Sequence, residues 1–330
     1  MLEKLKNNLS KNGYTLKNKV YSISNSSEEY SSNFGKQWRD FSKTQIDEFN
    51  KTEISKNLLD NLIFNEYENL KDKNILEVGC GSGRFSQYLS KYANLLVVND
   101  MSDAIYHNHY LDKNNVIAIK SDFSNLMQLE IKFDLVICRG VLQHTPDPYK
   151  SILNLHDLCK ENGCVYFDIY KKPKFKILNP KYIWRKIIKY FFTYEKLYSF
   201  LQKNIDNILK VRRKLNKFFR INLNYFWDYF FPIYDYKEKL PLSNFQLKEW
   251  AILDTLDGLI TTYDIPLSKN EIKFFLNKFD IKISKYNDKF SSLNSFSPFR
   301  IKSFGLRLSF FDNSFKSSIV RGFSKYLIIL

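Results

Sequence analysis

The sequence predicts an α/β fold, a doubly wound sheet whose strands alternate with helices. Three observations carry that expectation. Short apolar runs at 75–78, 95–98, 116–119 and 133–138 follow one another with helical or turn-rich stretches between them, as in sheets built from strand–helix–strand units. The first run stops at Gly79-Cys80-Gly81-Ser82-Gly83 and gives way to a helical pattern with Phe85, Tyr88 and Leu89, so the glycines form a strand-to-helix turn. The second run ends in Asp100, 21 positions after Gly79, about the offset at which an acid reaches the ribose hydroxyls of a bound nucleotide.

Each element then follows in order. Glycine is required in the first turn because the backbone bends sharply, and because a ligand approaches the main chain closely only where no Cβ intervenes. A dinucleotide loop would need a third glycine at position 84, which is Arg84; the pattern is Glu77-x-Gly79-x-Gly81-x-Gly83. The third run closes in Ser121-Asp122-Phe123, and the fourth leads into Arg139-Gly140-Val141-Leu142-Gln143-His144-Thr145-Pro146-Asp147-Pro148. A fifth strand is expected at 164–169, after a helix and a turn at Glu161-Asn162-Gly163. Later, Ser268-x-x-Glu271 reads as a capping box opening a helix through Phe279. Strands six and seven are expected at 281–286 and 299–308.

These motifs, in this order, resemble the class I S-adenosylmethionine-dependent methyltransferases. The resemblance implies a Rossmann-like sheet of seven strands, S-adenosylmethionine as cofactor, and a binding site formed by Glu77, Gly79, Cys80, Gly81, Gly83, Asp100, Met101, Asp122, Phe123 and Arg139. The flanks narrow it: Phe34-Gly35-Lys36-Gln37-Trp38, Thr44-Gln45-Ile46-Asp47, the Gly83-Arg84-Phe85 ending and a late Leu253-Asp254…Tyr263-Asp264-Ile265-Pro266 segment look like methyltransferase-11-like proteins of bacterial surface-polysaccharide and lipopolysaccharide gene clusters. The function this implies is O-methylation of a sugar or glycolipid. A quinone, lipid or other small molecule is the alternative acceptor, and a non-catalytic cofactor-binding subunit the third reading. His144, at the mouth of the crevice after strand four, is the candidate base, with Trp38, Gln45, Tyr263 and Asp264 on the acceptor side.

Charge divides the chain unevenly. The formal net charge of +16 breaks down into −2 over residues 1–170, +14 over 171–220 and +4 over 221–330. The organisation expected is a helical flank at 1–70, a cofactor-binding core at 71–170, a basic helical insertion at 171–250, the rest of the core at 251–310 and a tail at 311–330. Within the insertion, Trp184, Ile187, Ile188, Phe191, Tyr194, Tyr198, Leu201 and Ile205 recur at helical spacing with lysines between them. Residues 181–220 are therefore expected to meet either their own domain or an anionic membrane surface. Nucleic acid is the weakest partner: no Asn/Asp-Pro-Pro-Tyr/Phe follows strand four and no Pro-Cys pair is present, so base methylation is not indicated.

No apolar stretch reaches the roughly 18 residues of a membrane span, and the first residues lack the apolar run of a signal peptide. A cytoplasmic enzyme, peripheral on the inner face of the membrane, is the expectation. Cys80, Cys138, Cys159 and Cys164 lack paired metal-ligand spacing and read as reduced packing residues, so no metal is expected.

Overall fold

The computed structural model describes residues 1–23, 30–63, 67–173, 180–218, 227, 233–283, 285–287 and 325–329. At the N-terminus α1 (Leu2–Lys11) buries Leu5 and Leu9. A hairpin of β1 (Thr15–Lys17) and β2 (Val20–Ser22) follows, closed by Asn18 and Lys19 at φ 50° and 66°. Two successive positive φ values mark a type I′ turn, whose twist matches paired strands. No periodicity in the sequence announces this hairpin, since strands of three residues are too short to show one.

Three helices complete the flank: α2 (Ser32–Asp40), α3 (Asp47–Asn50) and α4 (Ile54–Ile63). Asp47 fixes the start of α4, its carboxylate accepting the amides of Ser55 and Lys56 at 3.0 and 2.9 Å. These are charge-assisted bonds at a helix N-terminus, where the dipole favours an anion. The alternating core follows as β3 (Asn74–Val78), α5 (Ser86–Tyr92), β4 (Leu95–Asp100), β5 (Val116–Lys120), β6 (Phe133–Cys138), α6 (Pro148–Asp157) and β7 (Cys159–Tyr170). Asp147 caps α6 through the amides of Tyr149 and Lys150, with Pro148 in the first turn, where its missing N–H costs nothing. Then come α7 (Pro180–Phe191), α8 (Tyr194–Phe218), α9 (Asn244–Ile260), α10 (Lys269–Lys278), β8 (Lys285–Asn287) and β9 (Lys325–Ile329). The expected capping box is present at α10, with Ser268 and Glu271 each bonding the other's backbone amide.

The sheet runs in the order β1-β2-β5-β4-β3-β6-β7-β9-β8. β2, β5, β4, β3, β6 and β7 are parallel, while β1 and β8 are antiparallel to their neighbours β2 and β9. Seven of these strands, β5 to β8 in that order, make the Rossmann-like sheet that the sequence predicts; the hairpin extends it at the β5 edge. Its central strands are covered on both faces, so Ile75, Leu76, Leu96, Val97, Val98 and Val136 are all buried, the pattern of a parallel sheet between helical layers.

Several expectations need correction. The fifth strand begins at Cys159, not 164: Phe133 pairs with Cys159 and Leu135 with Cys164, so the expected turn is a bulge within the strand. Gly163 permits it, because a Cβ there would stand 2.5 Å from the Cys159 Sγ and 2.9 Å from the Asp134 carbonyl oxygen. Cys164 is exposed rather than packed. Strand six is shorter than expected, and the proposed strand seven at 299–308 lies outside the described residues. The strand paired with β8 is instead β9, inside the segment expected to be a tail.

The chain divides into two compact units, the first including Met1–Tyr170 and Thr261–Asp288, the second including Lys171–Ile260. In the second unit the expected single apolar stripe is two different surfaces. On α8 it is buried as expected, through Tyr194, Leu197, Leu201, Ile205 and Leu209. On α7 it is split: Trp184 and Ile188 are half-buried beside buried Lys181 and Arg185, and Arg185 donates twice to the Gly258 carbonyl of α9, at 3.1 and 2.7 Å. Ile187 and Phe191 are exposed. No helix among the described residues is long and apolar enough to cross a membrane.

Candidate functional site

Strand order reverses at β3, with β4 on one side and β6 on the other. That reversal leaves a crevice at the carboxyl ends of the strands, where α/β sheets bind ligands. The glycine turn rises from β3 directly into it. Gly79, Gly81 and Gly83 take φ values of 71°, 51° and 96°, a region that costs an L-residue energy and glycine almost none. At Gly79 space forbids a side chain as well, since a Cβ would stand 2.1 Å from the Val141 Cγ2. Asn99 anchors the turn from the next strand, its carbonyl accepting the Gly79 and Cys80 amides at 2.8 and 3.1 Å.

The acids around the turn do different work. Asp100 accepts the Ser102 amide and hydroxyl on Oδ1, at 2.9 and 2.7 Å, and the Gly81 amide on Oδ2, at 2.9 Å. Oδ2 thus retains acceptor capacity for one further donor. Burial pushes this carboxyl above its ordinary range, opposed by those donors and by Lys120. Glu77 is buried one strand residue before the turn and accepts the Ser86 hydroxyl at 2.6 Å. Desolvation pushes its pKa up to about 8, against the bonds from Ser86 and the Phe85 amide. Its carboxyl therefore ties β3 to the start of α5. Asp122 follows β5, accepts the Ser124 amide at 2.8 Å and bonds the Tyr30 hydroxyl, with Phe123 buried next to it.

Arg139 follows β6 and is sequestered in an ion pair, its Nε donating to Asp168 Oδ2 at 3.2 Å. The other oxygen of Asp168 accepts the Gly140 amide at 2.6 Å. Sequence reasoning missed Asp168. Its signal was an acid within the apolar run of β7, an expensive placement unless a cation or amides await it.

His144 is buried in a short 3₁₀ turn after β6. Its Nδ1 lies 3.0 Å from the Tyr263 carbonyl oxygen. A carbonyl only accepts, so Nδ1 carries the hydrogen and Nε2 is the basic nitrogen of the neutral ring. Phe34 and Tyr170 flank the imidazole, with ring centroids 5.1 and 5.6 Å away. Tyr263 in turn packs edge-on against Tyr30 at 5.4 Å. Asp264 is buried beside it in sequence.

The N-terminal flank covers this end of the sheet. Trp38 of α2 lies over Gly81, so close that a Cβ on the glycine would stand 3.2 Å from the indole. Gly35 lets the same helix approach the Ser102–Asp103 backbone, a Cβ there falling 3.3 Å from the Asp103 nitrogen. Gln45 points elsewhere: its Oε1 accepts Arg84 Nη1 at 2.6 Å, while Arg84 Nε donates to the Ser55 hydroxyl at 3.1 Å. With Tyr88 donating to Asp47 at 2.9 Å, the Thr-Gln-Ile-Asp and Gly-Arg-Phe stretches are two halves of one clasp.

A family model described as a methyltransferase domain matches residues 46–210, half of the chain. The chain belongs to this family, the class I S-adenosylmethionine-dependent methyltransferases. A ubiquinone biosynthesis O-methyltransferase from Coxiella burnetii is 30% identical over 128 residues, covering 36% of this chain and 55% of the relative. A tRNA U34 carboxymethyltransferase from Campylobacter fetus is 29% identical over 133 residues, 38% of this chain and 46% of the relative. The methyltransferase thus spans about half the length of the curated relatives it matches. The solved magnesium protoporphyrin IX methyltransferase from Synechocystis PCC 6803, with bound SAH, is 20% identical, covers 42% of this chain and 63% of that one, and superposes with a TM-score of 0.32.

Proposed function

We propose that this methyltransferase methylates a hydroxyl group of a small molecule, with His144 as general base. One observation carries the reading: the hydrogen bond from Nδ1 to the Tyr263 carbonyl fixes the tautomer and makes Nε2 the basic nitrogen of the neutral ring. S-adenosylmethionine supplies a methyl group on a sulfonium, open to in-line displacement by an oxygen nucleophile. The residues present fit it. Positive φ at Gly79, Gly81 and Gly83 lets the loop turn tightly out of β3 at the strand ends, where a side chain would be strained. Asp100 Oδ2 has acceptor capacity for a ribose hydroxyl, and Asp122 with Phe123 stands at the next strand end for the adenine. Cys80 and Met101 line the same two strand ends.

Three residues take altered roles in this reading. Glu77 holds the loop through Ser86 rather than touching the cofactor. Arg139 is a positioning group locked to Asp168, and Gln45 belongs to the Arg84 clasp. Trp38, Tyr263 and Asp264 remain on the acceptor side.

The flanking motifs favour a sugar or glycolipid hydroxyl. A quinol is the second reading, favoured by the rings of Phe34 and Tyr170 around His144 and by the name of the Coxiella relative. Transfer of a labelled methyl group from the cofactor into surface-glycan precursors, glycolipids and an o-diphenol distinguishes them. His144→Ala should lower kcat about 10²-fold with the KM for the cofactor nearly unchanged. Undiminished turnover in that variant, or label entering only protein or nucleic acid, overturns the reading.

A further inference from the structure

The second unit carries an apolar surface that is exposed among its described residues. On α7, Ile183, Ile187, Tyr190 and Phe191 stand at i, i+4, i+7 and i+8, one face of the helix. All four are exposed, Tyr190 by 83% and Phe191 by 65%. The face turned inward holds buried Lys181 and Arg185 with half-buried Trp184 and Ile188. The outer apolar side chains are thus additional to those that pack the helix, and neighbouring large apolar side chains in water mark an interaction site.

Charge lies beside it. Lys186 and Lys189 are exposed on one flank of that face. On α8, the next helix in the chain, Phe200, Val211 and Phe218 are also exposed along one line, at i, i+11 and i+18, separated by Asn204, Asn207 and Lys214. Exposed Lys196, Lys203, Lys210, Lys214 and Lys217 run alongside it. Residues 171–220 contain 16 Lys and Arg against 2 acids.

We propose that the outer faces of α7 and α8 dock the enzyme on an anionic lipid bilayer, aromatic and aliphatic side chains entering the interface and lysines meeting the head groups. The pairing of features selects this partner. A second copy of the chain would cover the apolar residues but would oppose one lysine-lined face to another. A soluble polyanion would satisfy the lysines and leave Ile187, Tyr190 and Phe191 in water. An interfacial helix needs both at once. The proposal does not depend on which hydroxyl the enzyme methylates.

Sedimentation of the full chain with vesicles tests it. The protein should pellet with phosphatidylcholine–phosphatidylglycerol vesicles at low salt and stay in solution with phosphatidylcholine alone. Lys186→Gln, Lys189→Gln, Lys196→Gln and Lys203→Gln together should weaken partitioning several hundredfold, at about fivefold per lysine. The corresponding four arginine substitutions should restore it. Ile187→Ser, Tyr190→Ser and Phe191→Ser together should also release the protein, and since all three residues are exposed the thermal unfolding temperature should hold. Failure of the wild type to bind anionic vesicles overturns the proposal, as does equal binding by the serine variant. A wild-type dimer that the serine variant dissociates, without vesicle binding, would assign the face to a second copy.

Discussion

Gly79→Ala puts the geometry of the cofactor loop to a quantitative test. Two separate penalties meet at this position. Alanine at φ 71° pays the left-handed backbone cost of about 1–2 kcal/mol. Its Cβ would also stand 2.1 Å from the Val141 Cγ2, an overlap that forces a β-branched side chain or the loop to move, at about 1–3 kcal/mol. The single variant should therefore lose about 2–5 kcal/mol in urea unfolding. Val141→Ala removes Cγ2, so in that background the same substitution should cost only the backbone share, about 1–2 kcal/mol. The difference is a coupling energy readable from a double-mutant cycle. An equal loss in both backgrounds would refute the steric half of the argument, and a loss below about 0.5 kcal/mol would refute both halves.

Two further outcomes follow from the loop and its clasp. Glu77 has a folded pKa raised by burial from 4.5 to about 8. Between those values the unfolded chain is ionised while the folded one keeps its proton, so its contribution to stability is full below about pH 4 and falls as pH rises through about 8, by an amount on the order of 4–5 kcal/mol. Glu77→Gln should remove that slope, so chemical denaturation of the two proteins should diverge with rising pH; parallel curves between about pH 5 and 8 would contradict the assignment. Arg84→Ala should cost about 1–2 kcal/mol by leaving the Gln45 Oε1 without its guanidinium donor, and limited proteolysis should then cut residues 41–53 faster; an unchanged digestion pattern would show that the clasp does not hold the flank.

Much of the core was legible because its signals are local. A run such as Ile75-Leu76 stopped by glycine at 79 states both strand and turn, and Asp100 stands where the spacing from Gly79 put it. What was hidden depends on contacts between distant residues. Asp168 acquires meaning only with Arg139 beside it, 29 positions earlier. Gln45 looked like an acceptor-side group because nothing local ties it to Arg84, 39 positions on. The α7 stripe has helical period whichever way it faces, so periodicity gave the helix but not its orientation: that was decided by Arg185 finding the Gly258 carbonyl. β9 escaped because it pairs with β8 across a long separation in sequence.

Calorimetry with S-adenosylmethionine tests the central claim most directly, because it needs no knowledge of the acceptor. Micromolar binding, on the order of −8 kcal/mol, is expected for the wild type. Asp100→Asn, which exchanges a charged acceptor at Oδ2 for an amide beside the Gly81 loop, should bind about tenfold more weakly or worse. Absence of binding by the wild type, or an Asp100→Asn variant with undiminished affinity, would contradict the account.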